Sequence, residues 1–71
     1  MREKNYDKLF KIEASNAKDV YLIRKRHLLG YYETVGTAYI FPHDSFELLA
    51  FAFIPPDELD YISDKCRKLI T

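Results

Sequence analysis

Three consecutive residues, His43, Asp44 and Ser45, carry the side-chain types of a hydrolase triad. A triad needs a base that bonds the nucleophile on one side and an orienting acid on the other, which consecutive turn residues cannot arrange. Asp and Ser in turns commonly bond their own backbone instead. The pattern therefore favours a turn between two strands over a catalytic site.

Cys66 is the second candidate nucleophile, with His27 or His43 as its base. It falls on the apolar side of a predicted helix, near the C-terminal end, where the helix dipole disfavours a thiolate. We therefore expect a buried, poorly reactive thiol. The two histidines and the cysteine are widely separated and lack the short paired spacings of zinc sites, so we expect no metal.

The sequence also lacks the usual signature of a phosphate-binding site. Gly30 and Gly36 are the only glycines, which excludes a glycine-rich phosphate loop. The acids Asp57, Glu58 and Asp60 stand at a predicted helix start, where matching the dipole and facing solvent is their ordinary role. No pair of residues combines suitable chemistry with proximity, so we expect a non-enzymatic protein without a cofactor.

A basic cluster followed by two tyrosines is the clearest candidate for nucleic-acid binding. Cations and nearby aromatic rings can contact phosphates and stack on bases. In a strand, however, neighbouring side chains point to opposite faces, and the net charge of zero falls short of the footprint of a nucleic-acid domain. The residues of this candidate interface are Arg24, Lys25, Arg26, His27, Tyr31 and Tyr32.

The last segment predicts an amphipathic helix over 56–70. Pro56 suits the first helical position, acids follow it, and Lys65, Arg67 and Lys68 stand near the end. Its apolar residues recur at helical spacing and are expected to pack on a sheet. These residues are Leu59, Ile62, Cys66 and Leu69.

The sequence before this helix predicts mainly strands. The segments 9–14, 31–41 and 46–54 are rich in β-branched and aromatic residues, and turn-forming residues separate them. Gly36 inside the second of these strands predicts a bulge or a close backbone approach. The segment 19–29 is ambiguous, since Val20 to Ile23 favours a strand whereas Gly30 just beyond it suits a helix end.

The predicted fold is α+β: a small antiparallel meander of about four strands with one C-terminal amphipathic helix packed on one face. If 19–29 is a helix, the fold becomes β-α-β-β-α. The 71 residues are enough for one domain spanning 1–71. A single cysteine, a charged start and an apolar run of only seven residues, 48–54, predict a cytoplasmic protein that makes no membrane contact.

Both faces of the predicted hairpin are apolar, which leads to the functional hypothesis. One helix covers one face, so Leu49, Phe51 and Phe53 on the other face need a second cover. This second cover is either another molecule, which is a partner protein or a second copy, or a helix formed by 19–29 of the same chain. We favour a protein-interaction or regulatory module that acts through an exposed sheet face or edge, with a homodimer as one form. Nucleic-acid binding is the alternative.

Overall fold

The strands form one antiparallel sheet in sequence order, β1-β2-β3-β4, in a computed structural model that describes residues 5–41 and 45–70. A short helix precedes the sheet and a long helix follows it. The elements are α1 (Tyr6–Leu9), β1 (Phe10–Ala14), β2 (Val20–Arg26), β3 (Tyr32–Phe41), β4 (Ser45–Ala50) and α2 (Pro56–Ile70). The predicted meander with its C-terminal helix is therefore confirmed.

The ambiguous segment is a strand, β2, at the centre of the sheet. Ile12 pairs with Ile23 on one side, and Tyr21 pairs with Ala38 on the other. Side chains of β2 therefore alternate between the two faces of the sheet. We call the face that contains Ile23 and Ala38 the inner face, because both residues belong to the buried core, and the opposite face the outer face.

Gly36 lies at a bulge in β3, as its position predicts. Ile23 pairs with Gly36 but Arg24 pairs with Thr34, so Val35 is an extra residue on this strand. A side chain at Gly36 would also clash, since a Cβ there would lie 2.6 Å from the carbonyl oxygen of Leu49. The glycine allows β4 to approach β3 at this point.

The strand bounds differ from the prediction, most of all at the ends of β2 and β4. The last strand ends at Ala50, so Phe51 and Phe53 lie in the segment that leads to α2 and not in a strand. Only the Phe51 N–H still bonds the sheet, at 2.7 Å from the Val35 carbonyl oxygen, before the chain turns toward the helix. The turn residues His43 and Asp44 lie outside the described residues, and Ser45 begins β4.

Helix α2 has the predicted bounds, and two of the four residues predicted to pack on the sheet do so. Ile62 and Cys66 are fully buried, whereas Leu59 and Leu69 are 37% and 43% exposed. The third buried residue is Glu58. Adjacent helical residues differ by about 100° around the axis, so turning Glu58 toward the sheet turns Leu59 toward solvent.

The core contribution of α2 can be measured with two substitutions. Ile62→Ala should lower the free energy of unfolding by about 2–5 kcal/mol, because it leaves a cavity beneath the helix. Leu59→Ala, a matched control on the same helix, should cost about 1 kcal/mol or less. Urea unfolding followed by circular dichroism gives both values, and equal losses would contradict this orientation of the helix.

Candidate functional site

The outer face of the sheet carries a row of side chains from three neighbouring strands. Leu22 pairs with Thr37, and Thr37 pairs with Leu49, so the three lie side by side. Leu49 is 50% exposed, while Thr37 between the two leucines is only 7% exposed. The Thr37 Oγ1 atom has no hydrogen-bond partner among the described residues. A buried hydroxyl without a partner is costly, which marks the centre of this row as unusual.

Further apolar side chains extend this row. Tyr39 and Phe41 alternate with inner-face residues on β3 and therefore share the face of Thr37. Phe51 is 59% exposed and Phe53 is 85% exposed, both beyond the end of β4. Of the three residues predicted for a protein interface, Leu49 thus lies on the sheet face, and the other two form an apolar extension after it.

Helix α2 packs on the inner face, whereas α1 lies at one end of the sheet, where Lys8 accepts a hydrogen bond from Tyr32. Ile62 and Cys66 of α2 pack in one cluster with Phe10, Ile23 and Ala38, which all belong to the inner face. Tyr6 of α1 stacks on Tyr61 of α2, with ring centroids 5.2 Å apart. Leu22, Thr37 and Leu49 are not among the described residues that pack on this core cluster.

The sheet divides the basic cluster between its two faces. Arg24 points to the outer face, where its guanidinium lies 3.4 Å from Glu13 Oε1 and donates to the Tyr32 carbonyl oxygen at 3.0 Å. Lys25 points to the inner face, where its ammonium lies 2.9 Å from Glu58 Oε1. The six residues of the candidate nucleic-acid interface therefore do not share one surface.

The remaining members of the cluster lie toward the β2–β3 turn. Arg26 is exposed at the end of β2, opposite Tyr32. The Tyr32 hydroxyl donates to the Lys8 carbonyl oxygen at 2.7 Å. The rings of His27 and Tyr31 stack on each other with centroids 4.5 Å apart. Since each of these two rings covers one face of the other, less ring surface is left for stacking on a base.

The ion pair between Lys25 and Glu58 was missed by sequence reasoning, which assigned Glu58 to the solvent. Glu58 is 3% exposed, and the pair ties the centre of the sheet to the first turn of α2. One signal was available: alternation from Ile23 places Lys25 on the inner face of β2. A cation directed toward a core needs a carboxylate partner, and Glu58 supplies it.

The turn between β2 and β3 holds a second feature that sequence reasoning missed. Leu28 is 101% exposed and Leu29 is 81% exposed. The available signal was the position of the two leucines. They stand directly before Gly30, a turn residue, and well beyond Val20 to Ile23, the strand-like part of the segment.

An open groove of about 450 Å³ lies between β1 and α2, with Asp7, Tyr61 and Lys65 among its lining residues. Burial and the hydrogen bond to Asp7 raise the pKa of Tyr61 to about 12, so its hydroxyl stays protonated at neutral pH. The hydrogen bond from Tyr61 and the nearby Lys65 lower the pKa of Asp7. The groove therefore contains an exposed ion pair and a protonated phenol, and the lowered pKa of Asp7 makes its carboxylate a weak general base.

Metal and membrane-spanning features were sought in the same residues. In 5–41 and 45–70, no group of three or more His, Cys, Asp and Glu side chains could hold a metal ion. No helix of these two ranges is long and apolar enough to cross a membrane. Comparison with protein-family models, curated proteins and solved structures found no match to this chain.

The role of the Lys25–Glu58 pair can be tested by removing the cation. Lys25→Met should lower the free energy of unfolding by about 3 kcal/mol, because it leaves a buried carboxylate without this partner. Arg26→Met, next in the chain but exposed, should cost about 0.5 kcal/mol or less. The double variant Lys25→Met/Glu58→Met should recover much of the loss. Equal stability of the two single variants would contradict a structural role for the pair.

The state of the Cys66 thiol gives another test. Cys66 is fully buried, and burial raises its pKa, so little thiolate forms near neutral pH. A thiol reagent should therefore label the native protein slowly and the urea-unfolded protein rapidly. Fast labelling in the native state would reopen the nucleophile hypothesis.

Proposed function

We propose that this protein is a non-enzymatic interaction module that pairs with a second copy of itself through the outer face of its sheet. The observation that carries the proposal is the row Leu22, Thr37 and Leu49. Its leucines flank a buried hydroxyl that has no hydrogen-bond partner among the described residues, and none of the three side chains belongs to the core cluster beneath α2. Contact with a second sheet would remove this apolar surface from water.

The small core supports a second copy as the occupant. Among the described residues, six apolar side chains are buried: Phe10, Ile23, Val35, Ala38, Ile62 and Cys66. A chain of 71 residues with so small a core gains stability from association, because pairing buries apolar surface that folding alone leaves exposed.

Charge on the outer face also suits self-association. Lys11 lies on β1 and Arg26 at the end of β2, whereas Glu47 pairs with Tyr39 near the opposite corner, on β4. A second copy, suitably rotated in the plane of the sheet, can bring the basic corner of one molecule against the acidic corner of the other. Such contacts orient a pair, while the apolar row supplies most of the binding energy.

Nucleic-acid binding remains the alternative proposal, and one observation favours it. Arg24, Arg26 and Tyr32 share the outer face, so part of the basic cluster could contact one strand of nucleic acid. It has less support than self-association, because Lys25 is paired with Glu58 and the Tyr31 ring is stacked on His27.

Sedimentation of the wild type over a range of concentrations tests the proposal. We expect a dimer, and we expect Leu49→Glu to weaken it by about 2 kcal/mol or more, because a charge enters the centre of the contact. Leu28→Glu is the matched control: it makes the same change at an exposed leucine outside this face and should leave the dimer intact.

Circular dichroism must first establish that both variants fold. A wild type that stays monomeric at every concentration would contradict self-association, as would a dimer that Leu49→Glu leaves unchanged. A monomer that binds an oligonucleotide, with affinity falling by about 0.9 log units per log unit of salt for each phosphate contact, would favour the alternative.

A further inference from the structure

The β2–β3 turn, residues 27–31, presents two adjacent leucines to solvent. Leu28 and Leu29 are the most exposed large side chains of this turn, at 101% and 81%, and Tyr31 beside them is 51% exposed. A single exposed leucine is common on protein surfaces. Two neighbouring leucines this exposed, at the end of a hairpin, concentrate apolar surface at one point. We call these five residues the tip.

Hydrogen bonds and ring stacking hold the tip in this conformation. The His27 N–H donates to the Tyr31 carbonyl oxygen at 2.6 Å, and the Gly30 N–H donates to the His27 carbonyl oxygen at 2.9 Å. Gly30 has a φ of 98°, which favours glycine, and the Leu29 N–H donates to His27 Nδ1 at 3.3 Å. The leucines are therefore displayed by an ordered turn with bonds of its own.

Cations surround the base of the tip on one side. Lys8 and Arg26 line a groove of about 250 Å³ together with Asn5 and Leu9. Lys11 lies close by, with its Nζ atom 4.4 Å from the centre of the Tyr32 ring. No ion pair joins Lys8, Lys11 or Arg26 to a carboxylate among the described residues.

Among the described residues, the carboxylates near the tip either interact with other side chains or lie on the inner face. Glu13 lies beside Arg24, Glu58 pairs with Lys25, and Asp7 accepts from Tyr61. Glu33 pairs in register with Lys25, on the inner-face side of β3. The outer side of the tip is therefore apolar at its point and basic at its base.

We propose that the tip docks on an anionic lipid surface. Leu28 and Leu29 would enter the boundary between headgroups and acyl chains, Tyr31 would lie at headgroup level, and the cations would contact lipid phosphates. An acidic protein groove offers similar chemistry. A lipid surface fits better, because a protruding apolar point can enter a fluid interface without a matching cavity. This proposal departs from the sequence-based expectation of no membrane contact. It does not require the outer-face dimer, although Lys11 and Arg26 border both surfaces.

Co-sedimentation with vesicles tests the proposal on the full chain. We expect binding to phosphatidylcholine vesicles that contain phosphatidylserine, weaker binding to phosphatidylcholine alone, and release by salt. Leu28→Glu/Leu29→Glu should reduce binding at least tenfold, since it places charges where the apolar point should enter the interface. Lys11→Gln and Arg26→Gln should each reduce it about fivefold, the effect of one cation near an anionic surface.

A second measurement reports insertion directly. Leu28→Cys can carry a polarity-sensitive fluorophore, because the native Cys66 is buried. Its emission should shift to the blue when phosphatidylserine vesicles are added. The same label at Leu69→Cys, an exposed leucine of α2, is the control for this shift, and Leu69→Glu is the control for binding. The emission of the label at position 69 should not shift, and the Glu variant should bind vesicles as the wild type does.

Three results would overturn the proposal. One is the absence of vesicle binding, which would favour an acidic protein groove as the binding partner of the tip. Another is binding that depends on Lys11 and Arg26 but not on the leucines, which is electrostatic adsorption without insertion. The last is an unchanged fluorophore at Leu28→Cys in the presence of bound vesicles.

Discussion

The packing of α2 on the inner face through Ile62 and Cys66 is the contact on which the rest of the structure depends. These two side chains meet Ile23 and Ala38, the centres of the two middle strands. A 15-residue helix covers one side of a four-stranded sheet and cannot reach the other. The outer face, with its row of Leu22, Thr37 and Leu49, is uncovered as a direct consequence.

The same packing decides the chemistry of the basic residues. Turning α2 so that Glu58 meets Lys25 removes one cation from the surface and uses it to join helix to sheet. Arg24 and Arg26 stay on the outer face, and Arg24 is held by Glu13 and by the Tyr32 backbone. The basic run 24–26 looks uniform in the sequence, but one of its residues joins helix to sheet and the others stay on the outer face. The reason is that neighbouring residues of a strand point to opposite faces.

Two surfaces of different character result, and they lie on different parts of the molecule. The outer face carries the row Leu22, Thr37 and Leu49 near its centre, with cations toward one corner and Glu47 toward the other. The tip is narrow, carries Leu28 and Leu29 at its point, and has cations at its base. A module that pairs through Leu22, Thr37 and Leu49 keeps Leu28 and Leu29 free to bind elsewhere, although Lys11 and Arg26 border both surfaces.

Local pattern by itself determined the bounds of α2, the strand character of three segments and the irregularity at Gly36, because these follow from periodicity, turn residues and the lack of a side chain. It left 19–29 open between strand and helix and did not predict α1. It also marked Leu49 as outward-facing and Cys66 as inward-facing. Tertiary structure decided which side of α2 faces the sheet, and hence that Glu58 is buried and Leu59 is not. It also decided that the chain leaves β4 at Ala50 and that Leu28 and Leu29 stand clear of the core. These outcomes depend on contacts between residues far apart in the chain, such as Lys25 with Glu58, and periodicity within one segment carries no information about its partner.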